Sequence, residues 1–268
     1  MTTDPSEPGI GSEVERREDR RVLLGQSKST DDIELSDPLH VQFIRSETAR
    51  ARFSIDAAEA RAMDAVVAVH TADEIAQSET PTPGRFPLFS APMPDLGYPD
   101  EAIWQRCTAT EKARYHGEIL GMVVAETRRT ARDALDAVRV EYDALEPAVT
   151  AHDALAENAP TIHEAVPDNV AFEGGQGDEA ATARMFDRAA HTVELDKESQ
   201  RLSPSPLEPR SAVGQYDPAS GKLEFIATTQ IPHAYRRLMA RILDYPEHRI
   251  DVTVPDMGGG FGARQHPY

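Results

Sequence analysis

The residues Gly258-Gly259-Gly260-Phe261-Gly262 form the pattern in this sequence that is best suited to binding a ligand. Four glycines around one phenylalanine let the backbone approach a ligand closely, because no Cβ stands in the way. The backbone N–H groups of such a run can also converge on an anion such as a phosphate. A tight turn with no ligand is the alternative interpretation of the same residues.

Two phosphate-binding motifs can be tested against this glycine run. A P-loop requires Lys and then Ser or Thr after the glycines, whereas Ala263-Arg264-Gln265 follows here, so the P-loop is excluded. The dinucleotide fingerprint G-x-G-x-x-G/A is matched by Gly258, Gly260 and Ala263. That fingerprint also needs a following helix and an acid about 20 residues later, and the sequence ends before either. Nucleotide binding is therefore the least favoured function.

Other side chains are weaker candidates on spacing alone. Gln230 could hydrogen-bond to a ligand, or it could satisfy the end of a strand. Glu208, beside Pro209 and Arg210, is expected in a structural ion pair rather than as an acid catalyst. The nine histidines include no H-E-x-x-H or similarly spaced pair, so we assign no metal ligand and no catalytic residue. One cysteine, Cys107, excludes an internal disulfide framework and a cluster held by four local thiolates.

The first half of the sequence contains one clear structural unit. A strand over 119–125 is followed by a helix that Thr127 caps and by a second strand at about 138–142, which predicts a strand–helix–strand element packed on a sheet. Residues 77–97 are rich in Pro, Ser and Thr and predict a long loop. Residues 1–11 hold Pro, Gly, Ser and acids and predict a disordered tail.

The second half begins after residues 158–178, which are rich in Pro, Gly and acids and which we predict to be a linker. Strands over 212–216 and 223–227 then predict a hairpin. Pro232 begins an amphipathic helix, and alternating residues over 250–254 predict the strand that leads into the glycines.

Composition and charge exclude several classes of protein. The chain has 268 residues, 40% of them hydrophobic, which is enough to bury a core. The net charge of −18 argues against nucleic-acid binding, because phosphates need a basic face. No apolar stretch is long enough to span a membrane and no signal peptide is recognisable, so no membrane contact and a cytoplasmic location are expected. Only four of the 28 basic residues are lysines, and the acidic residues are spread along the whole chain. We interpret this composition as a halophilic adaptation, and an ordinary acidic protein is the alternative.

Three blocks of the sequence occur in a specific order and spacing. They are Leu207-Glu208-Pro209-Arg210, Thr229-Gln230-Ile231-Pro232-His233 and Pro255-Asp256-Met257-Gly258-Gly259-Gly260-Phe261-Gly262. Together they resemble the molybdopterin-binding large subunit of the xanthine dehydrogenase/aldehyde oxidase family, including its carbon monoxide dehydrogenase-type branch. The resemblance covers nearly the whole chain but only the N-terminal portion of the family's longer subunit.

This resemblance implies a fold and a function. The fold would be α+β, with an α/β-hammerhead domain over 12–157 and, over 179–268, the truncated N-terminal part of a mixed α/β molybdopterin-binding domain. The family oxidises an aldehyde, a heterocycle or carbon monoxide with water-derived oxygen at a molybdenum–molybdopterin cofactor. The resemblance also implies partners: the remaining molybdopterin-binding region, an iron–sulfur subunit and an FAD subunit.

Site residues follow from the resemblance position by position. Gln230 matches the glutamine that hydrogen-bonds near the molybdenum ligands. The loop along the apical side of the metal matches a run of four cofactor-binding residues: Gly259, Gly260, Phe261 and Gly262. Gln265 stands at a substrate position where xanthine-oxidising members carry a glutamate, which argues against purine hydroxylation by the xanthine mechanism.

The sequence also departs from the family pattern. The family's arginine-serine segment usually continues with a proline and a histidine, whereas this sequence has Ser46-Glu47-Thr48-Ala49-Arg50 there. Gly117-Glu118-Ile119-Leu120-Gly121 lacks the usual proline and valine. The family's general-base glutamate and most pterin contacts would lie beyond Tyr268. We therefore expect the chain to be inactive without the missing C-terminal region. The alternative is a non-catalytic hammerhead-containing remnant or scaffold module.

Overall fold

The computed structural model describes residues 15–72, 74, 85–87, 104–164, 166–170, 177–200 and 202–265. The predicted tail over 1–11 lies outside these residues, as does most of the predicted loop over 77–97. Within that loop, however, Arg85–Pro87 form a short strand that pairs with Trp104–Arg106. In this part the prediction of an uninterrupted loop was wrong.

In the first unit, residues 15–170, the structure gives the bounds of eight strands and four helices. The helices are α1 (Asp19–Leu23), α2 (Ala58–Arg61), α3 (Arg128–Asp136) and α4 (Ala151–Ala154), with a 3₁₀ turn at Thr30–Asp32. The strands are β1 (His40–Arg45), β2 (Ala51–Asp56), β3 (Val66–Thr71), β4 (Arg85–Pro87), β5 (Trp104–Arg106), β6 (Lys112–Ala113), β7 (Ile119–Ala125) and β8 (Arg139–Ala144).

Two antiparallel three-stranded sheets form the body of this unit. One has the strand order β1-β7-β3, and the other has the order β6-β2-β8. The predicted strand–helix–strand succession is present, with the side chain of Thr127 accepting the N–H of Thr130 at 3.0 Å as the helix cap. Its two strands, β7 and β8, belong to different sheets, which the local pattern did not indicate.

The core of the first unit lies around β7. This central strand buries Leu120, Val123 and Ala125, and α3 buries Ala131 and Ala134. Small alanines on α3 let the helix approach the sheet closely, and the cap at its first turn satisfies a backbone N–H that the helix leaves without a partner. The amphipathic pattern of α3 is thus explained by packing on the sheet.

The described part of the predicted linker is packed against the first unit. The side-chain amide of Asn169 accepts the N–H of Ile162 at 2.9 Å and donates to the carbonyl of Ala154 at 3.0 Å. Arg50 donates to the carbonyl of Thr161 at 2.6 Å. These bonds satisfy backbone groups that a free linker would leave to water.

The second unit, residues 177–265, contains a βαβ element. Its helices are α5 (Glu179–Arg188) and α6 (Pro232–Ile242), with a 3₁₀ turn at Glu247–Arg249, and its strands are β9 (Ala212–Asp217), β10 (Lys222–Ala227) and β11 (Ile250–Thr253). The predicted hairpin is the antiparallel pair β9–β10. β11 lies parallel to β10, and α6 makes the crossover between them with Pro232 in its first turn.

The parallel pairing explains how the glycine run meets the hairpin. Parallel strands end at the same edge of a sheet, so the residues after β10 and the residues after β11 emerge side by side. Gln230 follows β10, and the glycines 258–262 follow β11.

No helix among the described residues is long and apolar enough to cross a lipid bilayer.

Candidate functional site

Gln230 joins the loop after β10 to the glycine loop, residues 255–265. Its side-chain carbonyl oxygen Oε1 accepts the backbone N–H of Gly262 at 2.9 Å and that of Arg264 at 3.4 Å. Its own backbone N–H donates to the carbonyl of Arg264 at 3.1 Å. Because Oε1 accepts two backbone N–H groups of the glycine loop, the orientation of the Gln230 amide is fixed. Its nitrogen Nε2 then points away from these two N–H groups.

Gly260 is the residue against which the Gln230 side chain lies. A Cβ at Gly260 would stand 2.5 Å from Cδ and 2.7 Å from Oε1 of Gln230, so a larger residue would displace the amide. Gln230 itself is exposed, and its Nε2 makes no hydrogen bond to any residue that the structure describes. The arrangement therefore presents an oriented, uncharged donor at the surface.

Phe261 projects from the glycine loop into solvent. Its φ of +50° is left-handed and its side chain is 74% exposed, so the ring does not belong to the core. The neighbouring Gly259 and Gly262 also have positive φ, at +104° and +85°. A left-handed backbone costs a non-glycine residue about 1–2 kcal/mol, so the packing of the glycine loop must offset this strain.

A buried ion pair lies behind the glycine loop. Arg264, with its side chain fully buried, donates from Nη1 to Oε2 of Glu208 at 2.9 Å and from Nη2 to the Glu208 carbonyl. The same Oε2 accepts the N–H of Gly258 at 2.9 Å. The ion pair expected at Glu208 is thus present, with Arg264 as the partner.

Arg264 is the residue of this site that the sequence analysis did not single out. Its carbonyl accepts the hydroxyl of Thr229 at 3.2 Å as well as the N–H of Gln230, so the residue holds the two loops together from both ends. A basic residue two positions after the glycine run, with an acid in an upstream motif, was the available signal. Spacing alone could not show that its side chain is buried.

Gln265, the predicted substrate residue, is exposed at the end of the described chain. Its backbone N–H donates to the carbonyl of Gly262 at 3.4 Å, which continues the turn. Within the described residues no hydrogen bond joins its side chain to Gln230 or to the glycines. The structure thus brings Gln230 into contact with the glycines. Gln265 lies at the end of the same loop, and its side chain forms no hydrogen bond to them.

Two titratable side chains at α6 have raised pKa values. Burial raises the pKa of the Cys107 thiol to about 11, so the thiol is protonated at neutral pH and is not a nucleophile. Burial, and then the nearby Cys107, raise the pKa of Tyr235 on α6. Among the described residues, no group of three or more His, Cys, Asp or Glu side chains could hold a metal ion.

Two family models match the chain. The model of the aldehyde oxidase and xanthine dehydrogenase a/b hammerhead domain matches residues 24–146, and the model of the molybdopterin cofactor-binding domain matches residues 162–268. The predicted α+β fold, a hammerhead domain followed by molybdopterin-binding structure, is confirmed by these matches and by the solved structures below.

Individual relatives agree with the family models. The carbon monoxide dehydrogenase large chain of Hydrogenophaga pseudoflava is 33% identical over 92% of this chain and 31% of its own length. The nicotine 6-hydroxylase large subunit of Paenarthrobacter nicotinovorans is 32% identical over 97% of this chain and 30% of its own length. The chain therefore spans about a third of the length of these relatives.

A solved structure supports the same assignment. The Cu,Mo-CO dehydrogenase in its carbon monoxide reduced state aligns with a TM-score of 0.82 at 31% identity, over 96% of this chain and 32% of its own. Sequence and fold agree over nearly all of the chain, across both units. The chain belongs to the aldehyde oxidase and xanthine dehydrogenase family, in which it resembles the molybdopterin-binding large subunits of the carbon monoxide dehydrogenase type.

Proposed function

We propose that this chain supplies one wall of a molybdenum–molybdopterin site in a molybdenum hydroxylase large subunit. The observation that carries the proposal is the contact between the Gln230 side chain and the glycine loop. The contact requires glycine at position 260, because a Cβ there would collide with the Gln230 side chain. The relatives named carbon monoxide dehydrogenase and nicotine 6-hydroxylase support an oxidation of carbon monoxide, an aldehyde or a heterocycle with water-derived oxygen.

The uncharged donors of the site fit such a cofactor. The N–H groups of Gly259, Gly260 and Phe261 make no hydrogen bond to the described residues, and neither does Nε2 of Gln230. None of the four donors carries a charge, and the three backbone donors lie on a loop where glycine allows close approach. Oxo and phosphate oxygens of a molybdenum–molybdopterin cofactor are acceptors that match them.

The residues of this chain would hold and orient the group rather than transfer its protons. When bound, the cofactor supplies oxygen transfer and two-electron redox chemistry. Gln230 would donate from Nε2 without adding charge, and the Phe261 ring would cover the cofactor and exclude water. No general base is assigned among these residues, so the remaining molybdopterin-binding region would supply it.

The partners of the chain are part of the same proposal. A set of large apolar side chains is exposed on α5 and in the segment from α5 to β9: Met185, Phe186, Val193, Leu195, Leu202 and Leu207. Extended apolar segments of this kind are normally covered in a finished protein, so they favour burial against the remaining molybdopterin-binding region. Electrons would leave through an iron–sulfur subunit and an FAD subunit.

The domain division that we propose remains the one inferred from the sequence. The hammerhead domain spans 12–157, residues 158–178 connect the domains, and 179–268 form the first part of the molybdopterin-binding domain. Gln265 at the position of a substrate-binding glutamate favours a substrate other than a purine, because an amide cannot take or hold the proton that a carboxylate can.

Metal analysis of a co-expressed complex tests the proposal. The chain is produced with a polypeptide that supplies the remaining length of the relatives, and molybdenum per purified complex is measured. We expect molybdenum to co-purify with wild type and to be depleted in Gln230→Leu, while Gln215→Leu on the exposed face of β9 serves as the matched control. A complex that stays free of molybdenum would reject the proposal and favour the non-catalytic scaffold.

A further inference from the structure

The N-terminal strap, residues 19–32, reaches the glycine loop from the opposite end of the sequence. Arg21 donates from Nη1 and Nη2 to the two carboxylate oxygens of Asp256, each at 2.5 Å. The backbone N–H of Lys28 donates to Oδ2 of Asp256 at 2.9 Å. The N–H of Asp256 donates in turn to the carbonyl of Lys28 at 3.0 Å. Four hydrogen bonds therefore converge on a residue two positions before Gly258.

The other end of the strap is attached to the first unit. Arg128, at the start of α3, donates to Oδ1 of Asp31 at 2.9 Å. Between the two attachments, Ser29 and Asp32 form a reciprocal capping box around the 3₁₀ turn, with the Ser29 N–H bonded to Asp32 at 2.8 Å. The hydrogen bonds inside this turn make the segment stiff. Its attachment to Arg128 at one end therefore restrains its attachment to Asp256 at the other.

The bond to Asp256 has the geometry in which a partly exposed ion pair contributes most. The pair is bidentate, and the Asp256 side chain is only 24% exposed. The glycines that follow have the greatest backbone freedom of any residue type, so they lose the most entropy when the loop is ordered. An anchor immediately before them narrows the conformations that the loop can reach.

We propose that Arg21 and Asp256 are positioning residues, and that the N-terminal strap ties α3 to the glycine loop and holds that loop in its binding conformation. The inference rests on the proposed function of the glycine loop. It assigns to residues 19–32 a role in ordering a site that lies more than 200 positions later in the sequence.

Backbone amide hydrogen exchange of the full chain tests the role of the strap without any cofactor. In Arg21→Ala and Asp256→Asn we expect exchange of the hydrogen-bonded glycine-loop amides, those of Gly258, Gly262 and Arg264, to accelerate about two- to fivefold, the range for loss of one exposed ion pair. Exchange in β7 should not change, and Arg21→Lys should restore part of the protection. Arg139→Ala is the matched control, because it removes an exposed pair with Glu59 far from the loop.

Two results would overturn the inference: unchanged glycine-loop exchange in both variants, or an equal acceleration in β7, which would indicate general destabilisation. Molybdenum content of the co-expressed complex gives a second readout, with partial depletion expected in Arg21→Ala and none in Arg139→Ala. If wild type itself contains no molybdenum, the proposed function fails, while the exchange result still decides whether the strap orders the loop.

Discussion

At the residue scale, the contact between Gly260 and Gln230 is the part of the site most sensitive to a single methyl group. In Gly260→Ala the new Cβ would stand 2.5 Å from Cδ of Gln230, so either the amide or the loop must move. We expect a loss of about 1–3 kcal/mol in the free energy of unfolding, as for other overpacked sites, and loss of molybdenum from the co-expressed complex. Urea unfolding and metal analysis measure the two effects.

Gly214→Ala is the matched control for that prediction. A Cβ there meets only the Phe225 ring, at 3.6 Å, which is ordinary van der Waals contact. We expect little change in unfolding free energy and full molybdenum content. If Gly260→Ala behaved like Gly214→Ala in both measurements, Gln230 would not be held where the structure has it.

The Glu208–Arg264 pair supports the same loop from behind. Glu208→Ala would leave the fully buried Arg264 guanidinium without its carboxylate, and breaking a buried pair typically costs about 3–5 kcal/mol. Asp251→Ala, which breaks the exposed pair with Lys222, should cost no more than about 1 kcal/mol. The two unfolding free energies are measured in urea. Equal losses in the two variants would mean that Arg264 reaches water once Glu208 is gone.

Residue types predicted part of this site and not the rest. The resemblance identified Gln230 and the glycines because they stand in motifs with fixed spacing. Arg264 could not be found in the same way, because its role depends on burial against Glu208, 56 positions earlier. Burial of a charged side chain is a property of the packed chain, and a local pattern carries little information about it.

At the element scale, the sequence predicted strands and helices better than their partners. The strand over Ile119–Ala125 and the helix beginning at Pro232 agree with the predicted ones, because periodicity and capping are local signals. The parallel pairing of β10 with β11, which brings the site together, is a nonlocal choice. The same holds for β7 and β8, which follow each other in sequence and lie in different sheets.

The segment after α4 is attached to β6 by an ion pair with a clear dependence on pH. The hydrogen bond from Lys112, and then further contacts, lower the pKa of Glu164 from 4.5 to about 2. Because the folded state holds the charged carboxylate, this stabilisation is fully present above pH 4.5 and is lost as the pH falls through about 2. We expect the difference in unfolding temperature between wild type and Glu164→Gln to shrink over that window.

Glu157→Gln is the control for this pH dependence. Glu157 is an exposed acid of the same segment and forms no ion pair with a described residue. Thermal unfolding of all three proteins from pH 6 to pH 2 separates the effect of the ion pair from that of one lost charge. A constant difference between wild type and Glu164→Gln across the window would contradict the assignment.

At the scale of the whole molecule, the two units differ in how much they bury. Most of the buried apolar residues that the structure describes belong to the first unit, and the second unit contributes Ala227, Leu238, Ile242 and Ile250. Buried apolar area is the main source of folding free energy, so the second unit gains less of it from its own residues. This difference agrees with the exposed apolar side chains on α5 and in the segment from α5 to β9, which we assign to a partner surface.

The charge of the whole chain leads to the last prediction, on salt. A net charge of −18, with acids spread along the sequence, repels itself most strongly in the compact folded state. At about 1 M salt the screening length falls to about 3 Å, and most of this repulsion disappears. We therefore expect the unfolding temperature to rise continuously from 0.05 M to 3 M KCl, as for a halophilic protein. Sucrose at matched osmolarity, which screens no charge, is the control. A flat or falling salt profile, or an equal rise in sucrose, would identify an ordinary acidic protein without halophilic adaptation.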